Sequence, residues 1–169
     1  MHQENILEVL RDSKKLNTEV RHYLEEENKY TNKYFKNTIV MQKKLFEEIK
    51  GRIKLADSSI PFIDTKYEYW SKTKKNSNYS IKLRRKITSG KVEEYWNGDK
   101  EKNLSKSDYF GIGDISVSFN DKLLGYSLDL KGSEYYTILI RNITTKKLVS
   151  EKIPDTAGDV TFSLDNNYV

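Results

Sequence analysis

A few residues of this chain have types and spacings that could support catalysis. Ser71 and Lys74 match the Ser-x-x-Lys spacing of acylating enzymes, in which the lysine amine acts as the general base. Positions three apart on a β-strand point to opposite faces, however, and the surrounding residues are typical of a strand. His22 lies in a predicted helix without a nucleophile beside it, although a general base needs its partner within hydrogen-bond distance. We therefore predict no catalytic residue here.

The same sequence offers little for a metal or a cofactor. The run Glu25, Glu26, Glu27 does not converge on a cation, because consecutive helix positions differ by about 100° in direction. Gly111-Ile-Gly113 precedes a predicted strand, whereas a dinucleotide fingerprint follows a strand and opens a helix, so we assign it to a loop between repeats. The absence of Cys and the presence of only two His exclude a thiolate zinc site and leave too few ligands for a histidine cluster. We expect no metal and no cofactor.

Basic residues concentrate in the middle of the chain. Residues 52–113 carry 14 basic and 8 acidic side chains, while the whole chain has a net charge of +5. Basic and aromatic residues alternate there, a composition typical of single-strand nucleic-acid surfaces and also of ordinary packing between sheets. The alternative function is therefore a non-enzymatic module that binds an acidic partner or nucleic acid through this surface. Of these two ligands, nucleic acid is the less favoured. The residues concerned are Lys72, Lys74, Lys75, Lys82, Arg84, Arg85 and Lys86, with Tyr67, Tyr69, Trp70 and Tyr79 between them.

Length and composition bound the remaining classes. The 169 residues are 36% hydrophobic and 33% charged, which is thin for a self-sufficient core. No apolar run approaches the roughly 20 residues of a membrane helix, and residues 1–10 lack the order of a signal peptide. We expect a cytoplasmic chain without a membrane partner.

The first third of the sequence has helical patterning. Ile6, Leu7, Val9 and Leu10 predict a turn or two of helix. Asn17 is a candidate N-cap for a longer helix that ends near Phe35. A second helix carries an apolar stripe, so the pair predicts a helical hairpin with one apolar stripe per helix. We expect such a stripe to be part of a core and assign it no ligand role. That stripe consists of Met41, Leu45, Ile49 and Ile53, with Phe46 beside it.

The remainder of the sequence contains an internal repeat. Residues 67–91 and 123–147 align without a gap at an offset of 56, with 9 identities in 25 positions. Each copy has the pattern strand, polar turn, strand, which predicts two antiparallel hairpins of one design. A second echo aligns residues 114–124 with 159–169 at an offset of 45. Repeats of this length with short strands are typical of propeller blades.

The predicted fold class is therefore α+β, a helical hairpin followed by antiparallel blades of an incomplete β-propeller. We place the helical segment at residues 1–57 and the propeller at 58–169, with blades at about 60–113 and 114–158 and the start of a third. Two blades and a fragment cannot close a ring of about four to eight blades. We expect the open blade edge to promote self-association.

Several segments together resemble the N-terminal region of the oligopeptidase B group, in the prolyl oligopeptidase family of serine peptidases. The resemblance extends from about residue 8 to residue 169, and its more specific parts are YLEEENKYT, GRIK and RRK at residues 23–31, 51–54 and 84–86. The other matching segments are EVLRD (8–12), LFEEIKGRIKLADSSIPF (45–62), YSIKLRRK (79–86) and ISVSFNDKLLGYSLDLKGSEYYTILIRN (115–142).

This resemblance implies a two-part enzyme, in which a seven-bladed propeller caps an α/β-hydrolase domain and limits access to oligopeptides cleaved after Lys or Arg. The family's Ser, Asp and His lie in the hydrolase domain, and no Gly-x-Ser-x-Gly nucleophile motif occurs in this chain. We therefore carry over no catalytic residue and expect the chain alone to be inactive, with a structural and substrate-gating role.

The implied partners are the missing blades and the hydrolase domain, from the same parent enzyme or a separate fragment. Relatives also have a further stretch before the segment that matches residues 8–12. We therefore expect loss at both ends, as in a split gene, a complementing fragment or a deliberately cut chain.

Overall fold

The computed structural model describes residues 16–169. The short helix predicted at residues 6–10 lies outside these residues. The chain divides into two compact units, residues 1–54 and 55–169, which we call the helical unit and the strand unit. The predicted limits of the helical segment (1–57) and of the blades (60–113 and 114–158) stay predictions.

Within residues 16–54 the helical unit contains two α-helices joined by a 3₁₀ turn, in the region of the predicted helical hairpin. Helix α1 spans Thr18–Phe35, the turn Lys36–Thr38, and helix α2 Ile39–Gly51. Asn17 caps α1 as predicted, because its side-chain oxygen accepts a hydrogen bond from the Val20 N–H at 2.8 Å. Glu19 lies in the first turn, where the helix dipole favours a carboxylate.

The predicted apolar stripe, carried by α2 and by Ile53 just beyond its end, is exposed within the helical unit. Met41, Leu45, Phe46, Ile49 and Ile53 retain between 47% and 59% of their accessible surface. No described residue of this unit is buried. The expectation that this stripe packs in a core is thus wrong within the described part of the unit, where other side chains leave about half of its surface uncovered.

The strand unit consists of two four-stranded antiparallel sheets, each with its strands in sequence order. We call the first sheet blade 1 and the second blade 2. Blade 1 contains β1 (Phe62–Asp64), β2 (Tyr67–Lys72), β3 (Ile81–Lys86) and β4 (Val92–Asn97). Helix α3 (Gly98–Ser105) connects it to blade 2, which contains β5 (Gly111–Val117), β6 (Leu123–Asp129), β7 (Tyr136–Asn142) and β8 (Ile153–Thr156).

The two predicted hairpins are confirmed, and their registers coincide. Tyr67 pairs with Lys86 in blade 1, and the residues 56 positions later, Leu123 and Asn142, pair in blade 2. At the other end of the hairpins, the pair Lys72 and Ile81 corresponds to the pair Leu128 and Thr137. Residues that are 56 positions apart in the sequence therefore occupy equivalent places in the strand pairing of the two blades.

The 45-residue echo corresponds to a repeated turn. The hydroxyl of Ser118 accepts the Leu123 N–H at 2.9 Å, and the hydroxyl of Ser163 accepts the Tyr168 N–H at 3.0 Å. Asp121 and Asn166 occupy the same left-handed position of this turn, each with a φ of 62°. Short side chains with a carbonyl oxygen tolerate that conformation best, which explains their presence.

The main core lies between the two blades. Buried side chains of blade 1 pack against those of blade 2, and the Trp96 and Tyr126 rings meet edge to face at 4.9 Å. The cluster comprises Tyr69, Tyr95, Trp96, Phe110, Leu124, Tyr126, Leu128 and Ile143. A second cluster forms on the other face of blade 2, where Val160 and Phe162 cover Ile138 and Ile140. Gly125 permits this approach, because a Cβ there would lie 2.5 Å from Val160 Cγ1.

Candidate functional site

The contact between the blades is built around Asp121, in the turn between β5 and β6. Its carboxylate accepts hydrogen bonds from the Tyr69 hydroxyl at 2.8 Å and from the Thr65 hydroxyl at 3.2 Å. Arg84 donates to the Asp121 carbonyl oxygen at 2.7 Å and to the Glu93 carboxylate at 2.5 Å. We call these five residues the Asp121 cluster.

The Asp121 cluster has the properties of a structural joint. Arg84 is only 2% exposed and its guanidinium stacks over the Tyr67 ring at 4.2 Å. Burial, together with the hydrogen bond to Asp121, raises the pKa of Tyr69 well above its ordinary value. The phenol consequently stays protonated at neutral pH and acts as a donor, not as a base. The cluster fixes blade 1 on blade 2 and offers no activated proton acceptor.

A second polar contact joins β7 to blade 1 and α3. Arg141 donates to the Glu101 carboxylate at 2.5 Å and to the Tyr95 carbonyl oxygen at 3.2 Å. Its guanidinium also lies 5.4 Å from the centre of the Trp96 ring and 5.1 Å from that of Tyr126. A buried arginine held in this way orients two sheets and a helix at once.

The residues singled out for catalysis do not form a catalytic arrangement. The Ser71 hydroxyl accepts a hydrogen bond at 3.4 Å from Lys82, its cross-strand neighbour, while Lys74 lies in the turn after β2. His22 lies on α1 with its side chain 74% exposed, 4.0 Å from Glu26. Neither Ser71 nor His22 is part of the contact between the blades.

The acidic run on α1 is solvated. Glu25, Glu26 and Glu27 are all exposed, and Glu26 accepts a hydrogen bond from Lys29 at 2.6 Å. This hydrogen bond from the Lys29 ammonium lowers the pKa of the Glu26 carboxyl. Among residues 16–169 no group of three or more His, Cys, Asp and Glu side chains could hold a metal ion.

The assignment of Gly111-Ile-Gly113 to a loop between repeats is wrong. These residues form the beginning of β5, where Gly111 pairs with Asp129. A Cβ at position 113 would overlap the Ser127 hydroxyl and would come within 2.9 Å of the Tyr136 ring. The glycine is needed because neighbouring strands pack closely, and not because the chain turns.

The basic and aromatic residues of the middle segment separate in the structure. Tyr69 is buried between the blades and Arg84 is buried beside it, so these residues are used for packing. Lys72, Lys74 and Lys75 remain exposed on the strand unit.

No helix within residues 16–169 has the length and apolar character required to cross a lipid bilayer.

Sequence reasoning missed Asp121 and Trp96 as interface residues. The repeat alignment matched Arg85 with Arg141, yet the arginine of blade 1 that faces blade 2 is Arg84. A signal was available for Asp121 alone, because it lies in the echoed turn and aligns with Asn166.

The chain contains two consecutive four-stranded antiparallel sheets that pack face to face and have matching strand registers. Sheets of this kind are the blades of a β-propeller. Comparison with protein families matches residues 7–169 to the prolyl oligopeptidase N-terminal beta-propeller domain. The chain belongs to this family of peptidases.

Curated relatives agree with that assignment, and a solved structure has the same fold. The chain is 28% identical over 170 residues to dipeptidyl aminopeptidase BI of Pseudoxanthomonas mexicana, covering 92% of the chain and 24% of that protein. It is 25% identical to protease 2 of Moraxella lacunata, covering 82% and 21% respectively. The structure of oligopeptidase B from Leishmania major superposes with a TM-score of 0.76 at 19% identity, covering 89% of the chain and 22% of that structure. The chain thus spans less than a quarter of the length of these relatives.

Proposed function

We propose that this chain is the N-terminal helical and propeller portion of an oligopeptidase B-like serine endopeptidase that cleaves oligopeptides after Lys or Arg. Its role is structural and substrate-gating, and it has no catalytic triad of its own. The peptide bond is cleaved by an α/β-hydrolase domain, and further blades complete the propeller. Oligopeptides are substrates of the assembled enzyme only.

One observation carries this proposal. The face of blade 2 that packs against blade 1 has a copy in blade 1, and that copy is exposed. Ile143 is 1% exposed, whereas Ile87, its equivalent 56 residues earlier, is 49% exposed. An exposed face that repeats a buried one is suited to contact with another blade. The apolar stripe of α2 similarly offers a surface for a further domain, and we assign it to the hydrolase domain.

The proposal is tested with the purified chain and fluorogenic peptides that contain Lys, Arg or Pro before the scissile bond. We expect no hydrolysis and no labelling by a fluorophosphonate, since both require an activated serine. Hydrolysis that persists through purification and disappears in Ser71→Ala would overturn the proposal. Ser163→Ala serves as the matched control, because that hydroxyl lies in the repeated turn.

The structural role is tested by exchange with a relative. The matching part of Moraxella protease 2 is replaced by this chain, and cleavage of peptides and of a folded protein is compared with the parent enzyme. We expect the hybrid to keep the parent's preference for residues before the scissile bond and to leave the folded protein intact. A hybrid with a changed preference would assign specificity to this region instead.

A second candidate function rests on a basic cavity of about 420 Å³ between the blades. Lys66, Lys86 and Lys122 line it together with Arg84, and Asp121 is its acidic residue. Such a surface favours an acidic partner, which is the alternative of a non-enzymatic binding module. Binding of an acidic polymer that weakens steeply with salt, and that is lost in Lys122→Gln, supports this function; salt-independent or absent binding rejects it.

A further inference from the structure

The basic cavity of about 420 Å³ is formed by turns of both blades. The β1–β2 turn and the end of β3 contribute residues from blade 1, and the turns that follow β5 and β7 contribute residues from blade 2. The second candidate function assigns an acidic partner to this cavity. Resting on that function, the groups that line the cavity also indicate which class of anion it binds.

Three lysines give the cavity an excess of positive charge. Lys66, Lys86 and Lys122 are exposed, and within residues 16–169 none of them forms an ion pair. Their side chains are long and flexible, so the ammonium groups can turn toward a ligand in the opening. Arg84 adds a fourth cation to the lining, although it is buried and already bound to Glu93. The accessible positive charge therefore comes from the lysines.

The acidic lining residue, Asp121, does not pair with these lysines. Its carboxylate accepts hydrogen bonds from the Tyr69 hydroxyl at 2.8 Å and the Thr65 hydroxyl at 3.2 Å, and it forms no ion pair with a described residue. Neutral donors therefore hold this carboxylate in the contact between the blades. The charges of the lysines stay available for an anion from solution.

Two asparagine side chains add neutral donors to the lining. The Asn142 side-chain oxygen accepts the N–H groups of Thr144 and Thr145, each at 2.9 Å. The Asn120 side-chain oxygen accepts the Lys122 N–H at 3.1 Å. These backbone donors determine which end of each amide is the oxygen, and the NH₂ ends have no acceptor among residues 16–169. The Asn142 nitrogen does not belong to the buried unpaired atoms of that range, so a ligand can reach it.

From this arrangement we propose that the basic cavity binds phosphate, as inorganic phosphate or as a short polyphosphate. A phosphate group presents three strongly accepting oxygens and close to two negative charges, whereas a carboxylate presents two oxygens and one charge. The ammonium and amide donors of the cavity match the phosphate better. The volume lies within the range of about 300–1,000 Å³ of small-molecule sites, which leaves room for more than one phosphate. Because the donors belong to turns of both blades, the ligand strengthens the contact between them.

Isothermal titration calorimetry of the 169-residue chain tests the proposal at constant pH and ionic strength. The probes are sodium tripolyphosphate and, separately, sodium phosphate, and sodium citrate is the matched small tricarboxylate. We expect saturable binding of tripolyphosphate and no saturable binding of citrate. Saturation with sodium phosphate as well shows that a single phosphate group is sufficient, and saturation with tripolyphosphate alone identifies a polyphosphate as the ligand.

A pair of lysine variants separates the cavity from general attraction of anions. Lys66→Gln should weaken the binding of tripolyphosphate about fivefold, the loss expected for one exposed ion pair. Lys75→Gln removes the same charge from an exposed lysine in the β2–β3 turn, outside the cavity, and should leave the affinity unchanged. The two side chains are exposed, so neither change should unfold the chain, and circular dichroism checks this.

A pair of asparagine variants tests the neutral donors. Asn142→Asp keeps an oxygen for the Thr144 and Thr145 N–H groups, but it replaces the amide NH₂ by a second carboxylate oxygen. Loss of a donor together with like-charge repulsion should weaken binding by about tenfold or more. Asn76→Asp adds the same charge in the β2–β3 turn, outside the cavity, and should have little effect.

The proposal is overturned if neither phosphate probe binds saturably, if citrate binds as tightly as tripolyphosphate, or if Lys66→Gln and Lys75→Gln behave alike. Binding of a carboxylate polymer without binding of tripolyphosphate rejects the phosphate and keeps the acidic-partner function. Absence of both kinds of binding rejects that function as well. The peptidase proposal is tested separately, by hydrolysis.

Discussion

Blade 1 and blade 2 share one register but have different surroundings. On β3 and β7, and at the one residue that follows each strand, the identical residues of the repeat alternate with others, so they lie on the same face of each sheet. In blade 2 this face packs on blade 1, and Arg141 and Ile143 are buried. In blade 1 the corresponding Arg85 and Ile87 are exposed. The identities are Leu83 with Leu139, Arg85 with Arg141, and Ile87 with Ile143.

The contact between blades explains why the two copies of the repeat have the same residues at these positions. A hairpin alone needs its turn and its alternating pattern, and those requirements do not select Arg and Ile at these positions. Contact with a preceding blade does select them, because there the guanidinium holds a carboxylate and the isoleucine fills the core. Equal residues in the two blades should therefore make unequal contributions to stability.

The largest difference is expected between the two arginines. Arg141→Ala leaves the Glu101 carboxylate, 12% exposed, without its cation, so the free energy of unfolding should fall by about 3–5 kcal/mol. Arg85→Ala removes an exposed pair with Glu68 and should cost less than about 1 kcal/mol. Urea denaturation followed by circular dichroism measures both. Similar losses would contradict the assignment of this face to blade contact.

The isoleucines should show the same order with a somewhat smaller difference. Ile143→Ala empties part of the core between the blades and should lower the free energy of unfolding by about 2–5 kcal/mol. Ile87→Ala removes an exposed side chain and should lower it by less than about 1 kcal/mol. The same urea titrations provide the values, and an equal effect at position 87 would show that its face is already covered within this chain.

Alkaline pH should unfold the chain through the tyrosines of the shared core. Burial raises the pKa of Tyr95 from 10.0 to about 12, so the folded state holds this proton more tightly than the unfolded state. The stability from this group is complete below about pH 10 and is lost as the pH rises toward 12. Tyr95→Phe should reduce that loss by roughly 1–3 kcal/mol, measured by denaturation at pH 8 and above pH 11. Tyr109→Phe, which removes the same hydroxyl from a half-exposed side chain outside the core between the blades, is the control substitution.

The smallest effect is expected in the Asp121 cluster. Tyr69→Phe deletes the hydrogen bond to the Asp121 carboxylate and should cost about 1 kcal/mol. Asp121→Asn keeps a side chain that tolerates the left-handed backbone, and the double variant should cost less than the sum of the two single changes. Additive costs in this double-mutant cycle would show that the two groups do not interact across the blades.

Much of the strand unit could be predicted because its information is local. The alternating pattern and the repeated turns determined the hairpins, and the offset of 56 predicted that their registers would match. The start of α1 was predictable in the same way, because the Asn17 side chain accepts a hydrogen bond from the backbone N–H three residues later. These features depend on neighbours in sequence.

The features that could not be predicted depend on contacts between distant segments. Arg84 and Arg85 are adjacent and alike in sequence, and only the position of blade 2 makes the first buried and the second exposed. The need for glycine at position 113 could not be predicted, because the side chains that leave no room for a Cβ there, Ser127 and Tyr136, belong to other strands. The sequence around Asp121 predicted only a turn. Its role in the contact between the blades depends on a hydrogen bond from Tyr69, 52 residues earlier.

Blades 1 and 2 share one core and should therefore open together. Native-state hydrogen exchange under increasing urea tests it most directly, by comparing the amides of β3 with those of β6. The opening free energies of the two strands should lie within about 1 kcal/mol of each other, because Tyr69 and Trp96 of blade 1 pack against Leu124 and Tyr126 of blade 2. Full exchange in β3 while β6 keeps its protection would contradict it.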